Sequence, residues 1–245
     1  MTRQSAEISR IISSLGGVSS ILEAGVGEAT TLSGVLKALG PDAPRAYGFD
    51  LSWSRIAYAQ KWLQAQNISG VTLCTGSLFH APFCDDSIDV VYTSHSIEPN
   101  GGNEKPIIQE LYRIARKYLI LLEPGYELAN EEARRRMDHH GYCKNLREIS
   151  EDLGYEVLDH RLFPVTANPL NPTALTLIKK RDAGEAHGDK VLACPKFRKP
   201  LERMGQHLYS REALVIYPVI EGIPCLRIEN GIIASKLPDL IRAAR

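Results

Sequence analysis

The segment Glu23-Ala24-Gly25-Val26-Gly27 combines an acid with two closely spaced glycines, and it directly follows the apolar run Ser20-Ile21-Leu22. Because glycine has no Cβ, both glycines let the backbone turn tightly and approach a ligand closely. A carboxylate just before such a turn can attract an ammonium group. The segment therefore predicts a ligand-binding loop at the end of a strand, with Glu23, Gly25 and Gly27 as binding residues.

A second acid, Asp50, ends the next apolar run along the chain. At that place in a nucleotide-binding α/β fold, a carboxylate accepts hydrogen bonds from the ribose hydroxyls. A nicotinamide-binding loop needs a third glycine where this chain has Thr30, and no Gly-Lys-Ser/Thr of a P-loop follows. The two acids therefore favour a nucleoside carrying an amino acid over a dinucleotide.

Two later segments carry titratable and polar side chains after the fourth and fifth predicted strands. In the first, His95 or Glu98 could act as a general base if desolvated, or each could be a structural or solvated residue. The second segment could line a substrate pocket through Glu123, Tyr126, His139, His140 and Tyr142. The run of arginines at 134–136 could neutralise an anionic substrate or form a solvated helix face.

Alternating strand and helix patterns must position these residues. Apolar runs predict strands at 20–22, 45–49, 71–74, 88–93 and 118–122, with an edge hairpin of 155–163 and 173–178. Helical spacing predicts helices at 5–15, 31–39, 52–66 with Ser52 as N-cap, 106–116, and within 131–153 with a break near Gly141. The order predicts an α/β fold with a doubly wound, mostly parallel seven-stranded sheet.

The segments ILEAGVGEATTL, GFDLS, GSLFHAPFCDDSIDVVYTSHSIEP and ELYRIARKYLILLEP, in this order, resemble the motifs of class I S-adenosylmethionine-dependent methyltransferases. The resemblance implies a Rossmann-like fold, S-adenosylmethionine as cofactor and S-adenosylhomocysteine as product. It implies that Glu23, Gly25 and Gly27 hold the methionine part, Asp50 the ribose, Ser77 and Leu78 the adenine, and that Ser94 and His95 border the methyl-transfer site. The chain departs from the family at Ser77, where Asp is frequent, and at Ala29, where a third glycine is usual.

A polar, turn-rich stretch from Lys179 to Asp189 predicts a linker, so we expect a methyltransferase domain at 1–182 and a small C-terminal α+β or β-ribbon domain at 189–245. CPKFRKPL and YPVIEGIPCL in the latter resemble the Trm112-like zinc ribbon. Phe197 and Ser210 stand where that family has ligands, and a structural zinc site needs about four, so we expect no metal. Domains of that type partner methyltransferases, which implies a support fused to its enzyme. A homodimer through this domain is the open alternative.

Lys plus Arg equals Asp plus Glu, at 29 each, so no global field favours nucleic acid or a membrane. Adjacent His139 and His140 point about 100° apart on a helix, unlike a zinc-binding pair, so we expect no catalytic metal either. Five scattered cysteines and the absence of a signal-type segment predict a cytoplasmic protein.

Polar side chains around the predicted pocket favour O-methylation of a small molecule such as a sugar or nucleotide-sugar. The alternatives are a non-catalytic regulatory subunit, an RNA or protein methyltransferase linked to translation, and a dehydrogenase.

Overall fold

A seven-stranded sheet is the frame of the computed structural model, which describes residues 2–181, 190–237 and 239–240. Its parallel strands are β1 (Ser20–Ala24), β2 (Arg45–Asp50), β3 (Thr72–Thr75), β4 (Ile88–Ser94) and β5 (Ala115–Pro124). The strands β6 (Glu156–Leu162) and β7 (Thr173–Lys179) complete it in the order β3-β2-β1-β4-β5-β7-β6. Of all seven, β7 alone runs antiparallel to its two neighbours, β5 and β6. The prediction of a doubly wound, mostly parallel α/β sheet is confirmed.

Helices cover both faces of this sheet because successive strand residues point to opposite sides. On one face, α1 (Arg3–Ser14), α2 (Thr30–Leu39) and α3 (Trp53–Ala65) pack against Ile21, Val90 and Ile120. On the other, α4 (Glu104–Ile114) and α6 (Leu146–Asp152) pack against Leu22, Val91 and their neighbours. The helix α5 (Glu131–His140) has its own small apolar cluster.

Local signals set several helix ends as predicted. The Ser52 hydroxyl accepts a hydrogen bond from the Arg55 amide at 3.4 Å, so Ser52 is the N-cap of α3. Gly141 adopts a φ of 65° and ends α5, which places the break in the 131–153 segment where it was predicted.

The connection from β3 to β4, residues 76–87, contains no helix, unlike the other connections between parallel strands. The C-terminal part of the chain covers the sheet there. Val191, Tyr217 and Leu226 lie in one apolar cluster with Phe49 and Cys74, among other sheet residues. The C-terminal part thus takes the place that a crossover helix would occupy.

The C-terminal part folds into short strands. The strands β8 (Glu202–Met204), β9 (His207–Ser210), β10 (Val215–Tyr217) and β13 (Ile232–Ile233) form an antiparallel sheet, and β11 (Val219–Ile220) pairs with β12 (Ile223–Pro224). After β12 the chain turns into a 3-10 helix at Ile228–Asn230. Lys179 belongs to β7 rather than to the predicted linker, while residues 182–189, with both predicted domain boundaries, and 241–245 lie outside the described residues.

No helix in the described ranges is both long and apolar enough to cross a membrane. All five cysteines are free and buried. Cys194, at the start of the zinc-ribbon-like motif, contacts the hydroxyl of Tyr217 at 3.4 Å within the apolar cluster. Across the part of the chain that the structure describes, no group of three or more His, Cys, Asp or Glu side chains could hold a metal ion.

Candidate active site

A cleft of about 360 Å³ opens at the carboxyl edge of the parallel strands. The strand order reverses between β1 and β4, and such a reversal leaves a crevice beyond the strand ends. Six of the predicted site residues line the cleft: Gly25, Asp50, Ser77, Leu78, Ser94 and His95. Sequence reasoning missed seven further lining residues: Leu51, Arg55, Gly76, Phe79, Ser96, Pro99 and Asn100. Most of these adjoin a predicted residue in the chain, which is the signal that could have found them.

The glycine loop is shaped by the strand ends that surround it. The Gly25 amide donates to the Phe49 carbonyl at 2.9 Å, and Gly25 has a φ of 78° that favours glycine. A Cβ at Gly25 would lie 2.3 Å from the Cβ of Ser96, on the opposite side of the cleft. The loop therefore needs glycine here both for its backbone conformation and for its close approach to the β4 loop.

Asp50 joins the glycine loop to the start of α3. Its Oδ2 accepts from the Gly27 amide at 3.0 Å, and its Oδ1 accepts from the Ser52 amide at 2.9 Å. A carboxylate offers about four lone-pair positions, so two remain after these bonds. The Asp50 carboxylate can therefore still accept hydrogen bonds from a diol in the cleft.

Glu23 does not lie where the sequence suggested. Its side chain points away from the cleft to the α2 side, is 3% exposed, and accepts a hydrogen bond from Tyr92 at 2.9 Å and one from the Leu32 amide. Burial raises the pKa of Glu23 to about 8, with these hydrogen bonds opposing the shift. The Glu23 carboxyl is therefore not among the residues that line the cleft. Instead it caps the first turn of α2, whose N-cap residue, Ala29, has no capping side chain.

His95 and Glu98 form a hydrogen-bonded pair beside the cleft. Nδ1 of His95 meets Oε2 of Glu98, and Nε2 lies 2.8 Å from the hydroxyl of Thr173. Burial alone would lower the pKa of His95, but the Glu98 hydrogen bond and the charges of Glu123 and Glu98 outweigh it and raise the pKa above its usual value. For Glu98, burial opposes but the His95 hydrogen bond and charge prevail, and the pKa is lowered. The pair can accept and hold a proton.

Glu123 does not line the cleft but hydrogen-bonds to the loop after β4. Its side chain is 1% exposed, and its two oxygens accept from the amides of Ser96, Ile97 and Glu98 at 3.0–3.2 Å. Burial raises the pKa of Glu123, although the His95 charge and the hydrogen bonds partly offset it. The carboxyl therefore fixes the loop that carries His95, and its predicted contact with substrate is corrected.

The remaining predicted substrate residues lie on or next to α5, outside the cleft lining. Tyr142 hydrogen-bonds to Glu98 and its ring stacks on His140, so only Tyr142 among them reaches the His95–Glu98 pair. Tyr126 donates to Asp138 at 3.0 Å, and His139 and His140 are exposed on the helix. Tyr126, His139 and His140 therefore do not line the cleft.

Comparison with known proteins identifies a methyltransferase domain within the α/β part of the chain. Residues 21–118 match the family model described as a methyltransferase domain. The fold is similar to magnesium protoporphyrin IX methyltransferase from Synechocystis PCC 6803 with bound SAH (TM-score 0.59, 16% identity, 72% of this chain and 81% of that chain). It is also similar to a SAM dependent methyltransferase from Aquifex aeolicus (TM-score 0.51, 15% identity, 73% of this chain and 93% of that chain). At such identities the structural likeness establishes the fold.

The C-terminal part has a relative of its own. A stretch of 42 residues, 17% of this chain, is 38% identical to a UPF0434 protein from Vesicomyosocius okutanii and covers 71% of that protein. This stretch therefore belongs to the UPF0434 family. The finer likeness to a Trm112-like domain stays a prediction.

Proposed function

We propose that this S-adenosylmethionine-dependent methyltransferase methylates a hydroxyl group of a polar small molecule, since residues 21–118 match a methyltransferase domain and the sheet has the fold of such enzymes. The observation that carries the proposal is the cleft. Gly25 and Asp50 line one part of it and His95 another, so a cofactor and an acceptor can meet between them.

The cleft residues fit S-adenosylmethionine in three respects. Gly25 lines the cleft in a left-handed conformation without a side chain, which suits a ligand held close to the backbone. The two spare lone-pair positions of Asp50 suit a ribose diol. Leu51, Leu78 and Phe79 offer apolar surface for a base, since the first and last are 55% and 36% exposed. When bound, the cofactor supplies a methyl group on a positively charged sulfur.

On the acceptor side we assign the base to His95. An attacking hydroxyl must lose its proton, and an imidazole beside a carboxylate can take it up and be stabilised in the charged form. Glu98 supplies that carboxylate, and Glu123 holds the intervening loop in place. The resulting reaction is O-methylation, in which the chain orients the acceptor and removes one proton.

The acceptor class rests on the surroundings of His95. Asn100 lines the cleft and Asn171 contacts Glu98, so uncharged polar groups meet the acceptor, which supports a sugar or a nucleotide-sugar. The resemblance of the C-terminal part to a Trm112-like domain favours a second candidate, an RNA or protein substrate linked to translation. Assaying S-adenosylhomocysteine release with nucleotide-sugars and, in parallel, with purified ribosomes, which present both RNA and protein, separates the two. Release with none of these favours the non-catalytic subunit instead.

We further propose two domains, at 1–182 and 189–245, with the second supporting the first. The Leu226 amide donates to the Thr75 hydroxyl at 3.0 Å, and Cys225 pairs with Thr75 at the end of β3, next to the cleft residues Gly76 and Ser77.

The free cysteines support a reducing, cytoplasmic setting. Self-association through the C-terminal domain stays a prediction. The exposed Ile232 and Ile233 would suit it, and sedimentation of the full chain tests it.

Replacing Asp50 tests the cofactor site directly. We expect Asp50→Ala to weaken S-adenosylhomocysteine binding about tenfold to a hundredfold, since a hydrogen bond to a charged group contributes roughly 1.5–3 kcal/mol. Isothermal titration of the full chain measures this. Asp42→Ala, which removes an exposed acid at the far end of α2, is the matched control and should bind like the unchanged protein. If the folded, unchanged protein binds neither S-adenosylmethionine nor S-adenosylhomocysteine, the proposed function fails.

A further inference from the structure

Thr173 reaches the site from a strand that runs against the others. Since β7 is antiparallel to β5, its first residue lies beside the last residue of β5, Pro124, at the edge where the cleft opens. The Thr173 side chain is 5% exposed, and its hydroxyl lies 2.8 Å from Nε2 of His95. The hydroxyl therefore meets the ring nitrogen that Glu98 leaves free.

Asn171, two residues earlier, holds the other end of the same chain of hydrogen bonds. Its Nδ2 donates to Oε1 of Glu98 at 3.3 Å, while Oε2 of Glu98 meets Nδ1 of His95. His95 has a φ of 57°, a left-handed conformation that is uncommon for a residue with a Cβ. A residue in that conformation needs its surroundings to fix it, and here both ring nitrogens are held.

We propose that Thr173 orients the base His95 and passes the acceptor's proton to it, and that Asn171 supports the base by holding Glu98. The proposal rests on the role assigned to His95 above. A carboxylate at Nδ1 keeps a proton on that nitrogen, so Nε2 is the basic one. The Thr173 hydroxyl occupies the one lone pair of Nε2 while the ring is neutral, so the proton of the acceptor passes to the Thr173 oxygen as the Thr173 proton passes to Nε2. The hydroxyl then accepts a hydrogen bond from the charged ring.

The Thr173 hydroxyl stabilises the charged ring more than the neutral one, because a hydrogen bond from an ionised donor is roughly twice as strong as a neutral one. The other charged groups that act on the ring are Glu98 from its own loop and Glu123 from β5. Replacing Thr173 leaves both of these carboxylates in the protein. A change in the titration of His95 on losing the hydroxyl therefore reports the contact with Thr173.

Side-chain nitrogen NMR on the full chain tests this without any acceptor. In Thr173→Val we expect the pKa of His95 to fall by about 1 unit and the Nε2 signal to lose its hydrogen-bond shift. Thr173→Ser keeps a hydroxyl and should restore both. The matched control is Thr176→Val, which removes the only other threonine–histidine bond of β7, between Thr176 and His160 at 3.0 Å, and should leave His95 unchanged.

S-adenosylhomocysteine titration of the same samples keeps the two proposals apart. If the unchanged protein binds the ligand but Thr173→Val leaves the pKa and the Nε2 signal of His95 as they were, the positioning role is wrong. The same conclusion follows if the proton of neutral His95 is found on Nε2, or if Thr173→Ser fails to restore the signal. If the protein binds no ligand while the NMR result holds, the hydrogen-bonded arrangement stands and the methyltransferase site is what fails.

Discussion

Two buried carboxyl groups at this site, those of Glu23 and Glu123, hydrogen-bond to backbone amides. Glu23 accepts from an amide in the first turn of α2, and Glu123 accepts from three amides of the loop after β4. An uncapped backbone amide buried in a protein costs free energy comparable to a lost hydrogen bond. The two glutamates remove that cost at the two loops that form the cleft, and each does so out of contact with solvent.

Glu23 should give the protein a measurable dependence of stability on pH. Its pKa is raised on folding, so the folded state binds a proton that the unfolded state releases above about pH 4.5. Stability therefore falls as the pH rises from about 5 towards 8, by on the order of 3 kcal/mol from this group. Glu23→Gln keeps a side chain of the same shape and abolishes that fall.

Urea denaturation at pH 5 and pH 8 measures the effect. The difference between the two pH values should be smaller in Glu23→Gln than in the unchanged protein. Glu28→Gln, which replaces an exposed acid in the same loop, should behave like the unchanged protein. Equal pH dependence in all three proteins would show that Glu23 is already ionised in the folded state.

The glycine loop is the element on which the cleft depends most. Gly25 and Gly40 have nearly the same φ, 78° and 80°, but a Cβ at Gly40 would meet nothing within 4 Å. Both alanine variants therefore carry a backbone cost, and at Gly40, whose ψ is −157°, it is on the order of 1–3 kcal/mol. Gly25→Ala alone also pushes against Ser96.

We expect Gly25→Ala to bind S-adenosylhomocysteine about tenfold more weakly or worse, because overpacking of a closed contact costs roughly 1–3 kcal/mol. Gly40→Ala should lose stability but keep its affinity. Calorimetric titration and thermal unfolding of both variants separate the two effects. Equal affinities in the two variants would mean that the cleft does not need the close approach at Gly25.

The sequence predicted the parallel strands and the antiparallel edge hairpin, but only the parallel strands indicated which residues meet at the cleft. Strands that end in Asp50 and in Ser94-His95 bring their ends to one edge, because parallel strands share a direction. Thr173 could not be found in this way, since it begins an antiparallel strand and only the fold brings that start to the same edge. The side to which Glu23 points depends on strand alternation relative to α2, which spacing along the chain does not determine.

At the scale of the whole molecule, the C-terminal part and the sheet share one core. Phe49 and Cys74 of the sheet and Phe83 of the helix-free connection 76–87 lie in one buried cluster with Val191 and Tyr217. Hydrogen bonds cross the same boundary, including the Cys84 amide to the Val191 carbonyl at 2.8 Å. A part of about 55 residues is small for a stable core of its own, so its stability must come from this contact.

A shared core predicts a single unfolding event and a specific cost for breaking it. Calorimetry of the full chain should show one transition whose calorimetric and van't Hoff enthalpies agree. Tyr217→Ala, which empties a site 2% exposed, should destabilise the protein by about 3 kcal/mol while keeping one transition, because the cavity lies between the two parts. Phe197→Ala, at 43% exposure in the same C-terminal part, should change little. Two separate transitions, with only the smaller one shifted by Tyr217→Ala, would mean that the parts fold independently and that the C-terminal part does not stand in for the missing helix.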